Sequence, residues 1–96
     1  MKRAYKHEYN GWKNYQTWNV LLWVENDERN YNAMQEYLNS VARVPGKRAN
    51  WKEAMAHCGL FFEKTGDNVS YIQTRLSYRS LDDALNERVE EIRESL

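Results

Sequence analysis

The stretch that decides the fold is NYQTWNVLLWVENDERNY, residues Asn14 to Tyr31. Within it, residues 17–24 are apolar at every position except Thr17 and Asn19. A helix that is apolar on every side normally lies at the centre of a small protein. We therefore predict a central helix over residues 17–26, with Thr17 as its N-cap. The side chains predicted to be core are Trp18, Val20, Leu21, Leu22 and Val24.

Asp27 separates this helix from the next. A helix over 27–44 is predicted by the three- and four-residue spacing of Tyr31, Met34, Leu38 and Val41. The sequence also permits one long helix over 17–44, in which Asp27 would fall on the apolar stripe. An unpaired carboxylate is costly to bury there, whereas an N-cap carboxylate accepts a hydrogen bond from a free backbone N–H. We therefore place a break at Asn26 and Asp27.

Two further helices follow. The spacing of four apolar residues predicts a helix over 50–64 with Gly59 inside it, and these residues are Trp51, Met55, Cys58 and Phe62. Ser80 and Asp83 resemble a capping box that opens a helix over 80–96. The apolar stripe of that helix comprises Leu81, Ala84, Leu85, Val89, Ile92 and Leu96.

Residues 69–78 fit either a short helix or a short strand, and we favour the helix. With the other elements, this stretch predicts an all-α fold, a compact bundle of about four helices. The chain of 96 residues is predicted to be one domain, 1–96, with a basic, aromatic N-terminal arm over 1–13.

Composition and charge narrow the class of protein. Hydrophobic residues make up 42% and charged residues 29%, which is typical of a globular protein. Because no apolar run could span a bilayer and no signal-peptide core follows the basic start, we expect a soluble, cytoplasmic protein. The net charge of zero divides into blocks of +3, −3, +4 and −4 over 1–13, 14–40, 41–79 and 80–96. These blocks suit acidic helices packed on basic ones, or a homodimer that pairs unlike faces.

The sequence contains little that could support catalysis. A metal site needs several ligands at suitable spacing, and the chain has two histidines and one cysteine. His57 and Cys58 are neighbours, but adjacent helical residues point about 100° apart and cannot form a nucleophile and base pair. The carboxylates over 82–94 have the spacing of a solvated helix face. We therefore predict a non-enzymatic protein without a metal or a cofactor.

One candidate binding feature lies within the opening stretch. Tyr15, Asn19, Trp23 and Asn26 fall on one line of the predicted helix. Tyr and Trp combine a large contact area with a polar group, so the line is a candidate ridge for a protein partner. Alternatively, Asn19 is a buried amide that hydrogen-bonds the N-terminal arm and fixes its path. The sequence leaves both interpretations open.

A second candidate feature is basic. The arm interleaves cations with Tyr5, Tyr9 and Trp12, a combination that can stack on single-stranded bases and neutralise phosphates. A basic loop over 43–52 adds further cations. The alternative function is therefore nucleic-acid binding, with candidate residues Lys2, Arg3, Lys6, Arg43, Lys47 and Arg48.

The opening stretch resembles the signature of small, uncharacterised phage and prokaryotic proteins, roughly Y-x-T-W-N-V-x-L-W-x-x-N-D-E followed by a tyrosine. The matching residues are Tyr15, Thr17, Trp18, Asn19, Val20, Leu22, Trp23, Asn26, Asp27, Glu28 and Tyr31. The resemblance implies a small accessory protein from a phage or mobile element. With the absence of catalytic motifs, it leads us to expect a protein that binds another protein, such as a modulator or inhibitor of a host defence system.

Overall fold

The computed structural model describes residues 14–96 and contains four helices in that range. They are α1 (Tyr15–Asn26), α2 (Glu28–Ala42), α3 (Trp51–Cys58) and α4 (Tyr78–Ser95). Within the described range there is no strand, and only an isolated antiparallel bridge joins Lys64 to Ser70. The predicted all-α class is confirmed. The predicted N-terminal arm lies outside the described residues.

The break between the first two helices is confirmed. Asp27 has an extended backbone, with φ −100° and ψ 119°, between α1 and α2. Its carboxylate accepts a hydrogen bond of 3.1 Å from the backbone N–H of Asn30. The side chain therefore satisfies a free donor in the first turn of α2, as expected of an N-cap.

The predicted N-caps of α1 and α4 were wrong by three residues. Asn14, not Thr17, caps α1 and accepts a 2.9 Å hydrogen bond from the Thr17 N–H. Ser77, not Ser80, caps α4. Thr17 is instead buried inside the first turn, where its hydroxyl accepts a 2.9 Å hydrogen bond from the N–H of Ser77. The Thr17 hydroxyl thus ties the start of α4 to the start of α1.

Helix α3 is shorter than predicted because Gly59 ends it. Gly59 adopts a left-handed backbone with φ 76°. Its N–H donates to the carbonyl of Ala56, and the N–H of Leu60 donates to that of Met55, which together form a Schellman motif. The predicted extension of the helix to residue 64 was therefore wrong. The short helix favoured over 69–78 was also wrong, because residues 69–77 are irregular and Tyr78 already begins α4.

The core draws on all four helices and on the segment between α3 and α4. Trp51 is fully buried, and its indole N–H donates to the carbonyl of Tyr71 at 2.8 Å. Of the five core residues predicted in α1, Trp18 and Leu22 are only half-buried. The largest fully buried apolar side chains are Trp51, Met34, Leu38, Met55, Leu81, Leu85, Val20, Val24, Val41 and Val89.

The C-terminal half of α4 is fastened to the end of α2. The Arg93 guanidinium donates to four backbone carbonyls at 2.7 to 3.2 Å, those of Val41, Ala42, Val44 and Lys47. About two turns earlier on α4, the Asn86 side chain accepts a hydrogen bond from the N–H of Ala49 and donates one to its carbonyl. No helix in residues 14–96 combines the length and apolar character that crossing a membrane requires.

Candidate binding surfaces

Asn19 lies under the surface, where it anchors a turn. Its side chain is fully buried. The amide nitrogen donates to Asp67 Oδ2 at 2.8 Å and to the Tyr15 hydroxyl at 3.3 Å. The amide oxygen accepts a 2.8 Å hydrogen bond from the Thr65 hydroxyl. The buried interpretation of Asn19 therefore describes its environment, and among the described residues it holds the segment 65–67. The predicted contact with the N-terminal arm lies outside the described residues.

Trp23, one helical turn after Asn19, contacts the same turn of residues 65–67. Its indole N–H donates to Asp67 Oδ2 at 2.9 Å. The ring lies so close to the Gly66 backbone that a Cβ at residue 66 would overlap the ring carbons. Trp23 is half-buried and packs against the core. Most of the surface of this indole is therefore covered by the rest of the chain.

These contacts limit which residues of the predicted ridge have surface available for a partner. The ridge comprises Tyr15, Asn19, Trp23 and Asn26. Asn19 has no exposed surface with which to contact a partner in this fold. Tyr15 and Trp23 are half-buried, and Asn26 is exposed. A role in protein binding for the other three residues stays a prediction.

Asp67 receives two hydrogen bonds on one carboxylate oxygen. The Trp23 indole, and then the Asn19 amide, hold the pKa of this carboxyl below its usual range. Both donors stabilise the ionised form, and the carboxylate itself faces solvent. Sequence reasoning missed this residue because Asp67 lies more than forty positions along the chain from both of its donors, Asn19 and Trp23.

Phe62 is the most conspicuous apolar group on the described surface. Phe62 is 92% exposed and lies in the turn that follows Gly59. The rings of Phe61 and Phe62 meet edge to face, with centroids 5.1 Å apart and planes at 68°. We call the surface around them the Phe62 surface, a shallow depression lined by Ala56, Gly59, Phe61, Phe62 and Glu63.

The exposure of Phe62 corrects the prediction that it lies on the apolar side of α3. A spacing of three and four places Phe62 beside Trp51 and Met55 only while the helix continues. Because Gly59 turns the chain, Phe62 leaves that side. The signal that could have found the surface is an apolar triplet, residues 60–62, directly after a glycine that ends a helix.

The basic loop contains exposed cations whose neighbours are partly acidic. Arg43, Lys47 and Arg48 are all exposed. Lys47 lies 4.0 Å from Glu53, and Arg48 shares a depression with Asp82, among other residues. Nucleic-acid binding by these three residues stays a prediction. The other three candidates, Lys2, Arg3 and Lys6, lie outside the described residues.

His57 and Cys58 have separate environments. His57 Nε2 is 3.6 Å from Glu36, and its ring packs against Tyr37. Cys58 is half-buried, and burial together with the nearby Glu36 raises the pKa of its thiol to about 11. The thiol is therefore protonated at neutral pH, which disfavours a nucleophilic role. In the described part of the chain, no three His, Cys, Asp or Glu side chains come close enough to hold a metal ion.

Comparison with known proteins gives one match. No curated protein and no solved structure matched the chain. A model of a family of unknown function, DUF7249, matches residues 5–94. The matched range includes α1, α2, α3, all of α4 except Ser95, and the Phe62 surface. The chain therefore belongs to the DUF7249 family, a family of unknown function.

Proposed function

We propose that this chain is a non-enzymatic protein that acts by binding another protein, and that the Phe62 surface is the centre of the contact. The observation that carries the proposal is the 92% exposure of Phe62. Exposing a whole phenylalanine side chain forgoes roughly 2 kcal/mol of burial free energy. A partner that covers the ring recovers that free energy.

The geometry of the pair favours binding because the aromatic group is already positioned. Phe61 packs against the core and meets Phe62 at its edge. The turn is also fixed on both sides. The Schellman motif at Gly59 precedes it, and the Tyr71 N–H donates to the Glu63 carbonyl at 3.2 Å after it. Because the backbone of this turn is already held by hydrogen bonds, an aromatic anchor on it loses less conformational entropy on binding than one on a flexible segment.

The biological setting that we propose rests on the resemblance of residues 15–31 to phage and prokaryotic proteins. A small phage-encoded protein without catalytic groups acts by occupying a surface of a host protein. We therefore propose that the chain modulates or inhibits a host defence system in the host cytoplasm.

The proposal is tested by affinity capture with matched variants. Tagged wild type, Phe62→Ser and Val44→Ser are each used to capture proteins from a lysate of the host cell. Val44 is a suitable control because it is also an exposed apolar residue, 48% exposed, but lies in the loop after α2. Circular dichroism and thermal unfolding of all three proteins show whether the fold is unchanged.

We expect a protein that is retained by wild type and by Val44→Ser and is lost with Phe62→Ser. The captured protein, once purified, must bind wild type directly in a titration and bind Phe62→Ser at least about tenfold more weakly. A specific partner that Phe62→Ser retains at wild-type affinity would contradict the proposal.

A further inference from the structure

The charges around the Phe62 surface are acidic. Glu63 lines the depression itself. On α2, the Glu36 side chain is 79% exposed and lies 3.6 Å from His57, the residue after Ala56. Glu36 also acts electrostatically on Cys58, which precedes Gly59. One carboxylate, that of Glu63, therefore lies in the depression, and a second, that of Glu36 on α2, lies near the end of α3 beside it.

The end of helix α3 adds to this negative potential. A helix C-terminus carries partial negative charge on its last carbonyl groups. Helix α3 ends at Cys58, directly beside Gly59 in the Phe62 surface. The effect is short-ranged, and Phe61 and Phe62 follow the last residue of α3 by three and four positions.

Two of the nearby described cations contact other groups. Lys52 lies one turn before Ala56 on the same side of α3, but its ammonium is placed over the Tyr78 ring, 5.0 Å from the centroid. Lys47 pairs with Glu53 at the other end of the helix. Lys64 follows Glu63 in the sequence and is not among the residues that line the depression.

Resting on the proposed function, we infer that the partner presents a basic amphipathic segment, with an apolar side chain on Phe62 and a Lys or Arg beside Glu63 and Glu36. The apolar part recovers the burial of the ring. The cations of the partner complement the carboxylates of Glu63 and Glu36. This complementarity speeds association and selects against acidic segments.

The experiment is a selection from a library of short random peptides displayed on a carrier and captured by the whole chain. Four proteins are compared, namely wild type, Phe62→Ser, the double variant Glu36→Lys with Glu63→Lys, and the control Glu87→Lys with Glu94→Lys. The control makes the same change in net charge at two exposed positions of α4. Selected peptides are then titrated against each protein at low and high salt.

We expect wild type and the control to select peptides that combine an aromatic or aliphatic residue with Lys or Arg. The double variant should bind those peptides roughly tenfold more weakly at low salt, and the difference should shrink as salt screens the charges. Peptides that require Phe62 but show no enrichment in Lys or Arg would overturn this inference and leave the proposed function standing. Peptides that bind Phe62→Ser as well as wild type would overturn both.

A second copy of the chain is the other occupant to be distinguished. Light scattering of wild type and Phe62→Ser across a concentration series measures self-association. A wild-type dimer that Phe62→Ser abolishes would overturn the inference of a separate basic partner. A wild-type monomer over the whole range supports it.

Discussion

At the scale of single residues, one carboxylate organises a long-range contact. Asp67 accepts hydrogen bonds from Trp23 and from the buried Asn19, while the Trp23 ring covers Gly66. A fully buried amide is costly unless its donors and acceptor are satisfied, and here Thr65 and Asp67 satisfy them. Asn19 and Trp23 on α1 thus hold the turn over residues 65–67, which follows the Phe62 surface in the sequence.

Gly66→Ala tests the close packing of this turn. The added methyl collides with the Trp23 ring, so we expect a loss of about 1 to 3 kcal/mol in the free energy of unfolding. In a Trp23→Leu background the smaller side chain leaves room, and the cost of Gly66→Ala should fall by at least half. Urea unfolding of the four proteins in this cycle gives the coupling. Equal costs in both backgrounds would show that the ring does not limit residue 66.

The Asp67 hydrogen bonds predict a pH dependence with a definite sign. Because the Trp23 indole and the Asn19 amide lower the pKa of Asp67 in the folded state, its contribution to stability is complete above the unfolded pKa. The contribution is lost as pH falls through the lower, folded value. We expect the difference in Tm between wild type and Asp67→Asn to be largest near about pH 7 and to shrink toward about pH 3.

Asp83→Asn is the matched control for that titration, since Asp83 is an exposed carboxylate on α4. A constant difference between wild type and Asp67→Asn across the whole range would mean that the charge of Asp67 is not what holds the turn.

At the scale of elements, the sequence predicts the helix break at Asp27 but misses the tertiary contact of Thr17 and the local helix end at Gly59. The break at Asp27 was correct because a carboxylate on an apolar stripe is unfavourable in any context. The prediction of Thr17 as the N-cap of α1 was wrong, because its hydroxyl accepts a hydrogen bond from the N–H of Ser77, sixty residues away. Gly59 was read as a helix-interior residue, although its left-handed backbone redirects the chain and exposes Phe62.

Gly59→Ala distinguishes a helix end from a helix interior by the sign of its effect. Inside a helix, Ala would stabilise by about 1 kcal/mol relative to Gly. At φ 76° we expect destabilisation by about 1 kcal/mol, because a Cβ disfavours the left-handed region. The position is open, with no atom within 4 Å of a Cβ, so the cost is conformational. Gly59→Asn should cost less than Gly59→Ala in thermal unfolding, and a stabilised Gly59→Ala would contradict the assignment.

At the scale of the whole molecule, the acidic C-terminal block belongs to a helix that is fastened to α2 by backbone contacts. Blocks of charge in the sequence suggested that unlike surfaces pack together. In the structure, the Arg93 guanidinium donates hydrogen bonds to carbonyls at the end of α2 and in the loop after it. No sequence pattern indicates this contact, because one side chain bonds four backbone groups about fifty residues away.

Arg93→Met should therefore destabilise the fold by about 2 to 3 kcal/mol, since it leaves several carbonyls without their charged donor. Arg79→Met is the control, because Arg79 is an exposed arginine on the same helix. We expect the control to change the free energy of unfolding by less than about 0.5 kcal/mol. Chemical unfolding measures both, and equal effects would show that the four hydrogen bonds contribute little.

The central claim is that a partner seats on the Phe62 surface. Amide hydrogen exchange of the wild-type chain, alone and with the purified partner recovered by Phe62-dependent capture, tests that claim most directly. We predict slowed exchange over residues 56–63 in the complex. Protection confined to residues around Asn26, or to residues 43–48 of the basic loop, with exchange over residues 56–63 unchanged, would contradict the proposal.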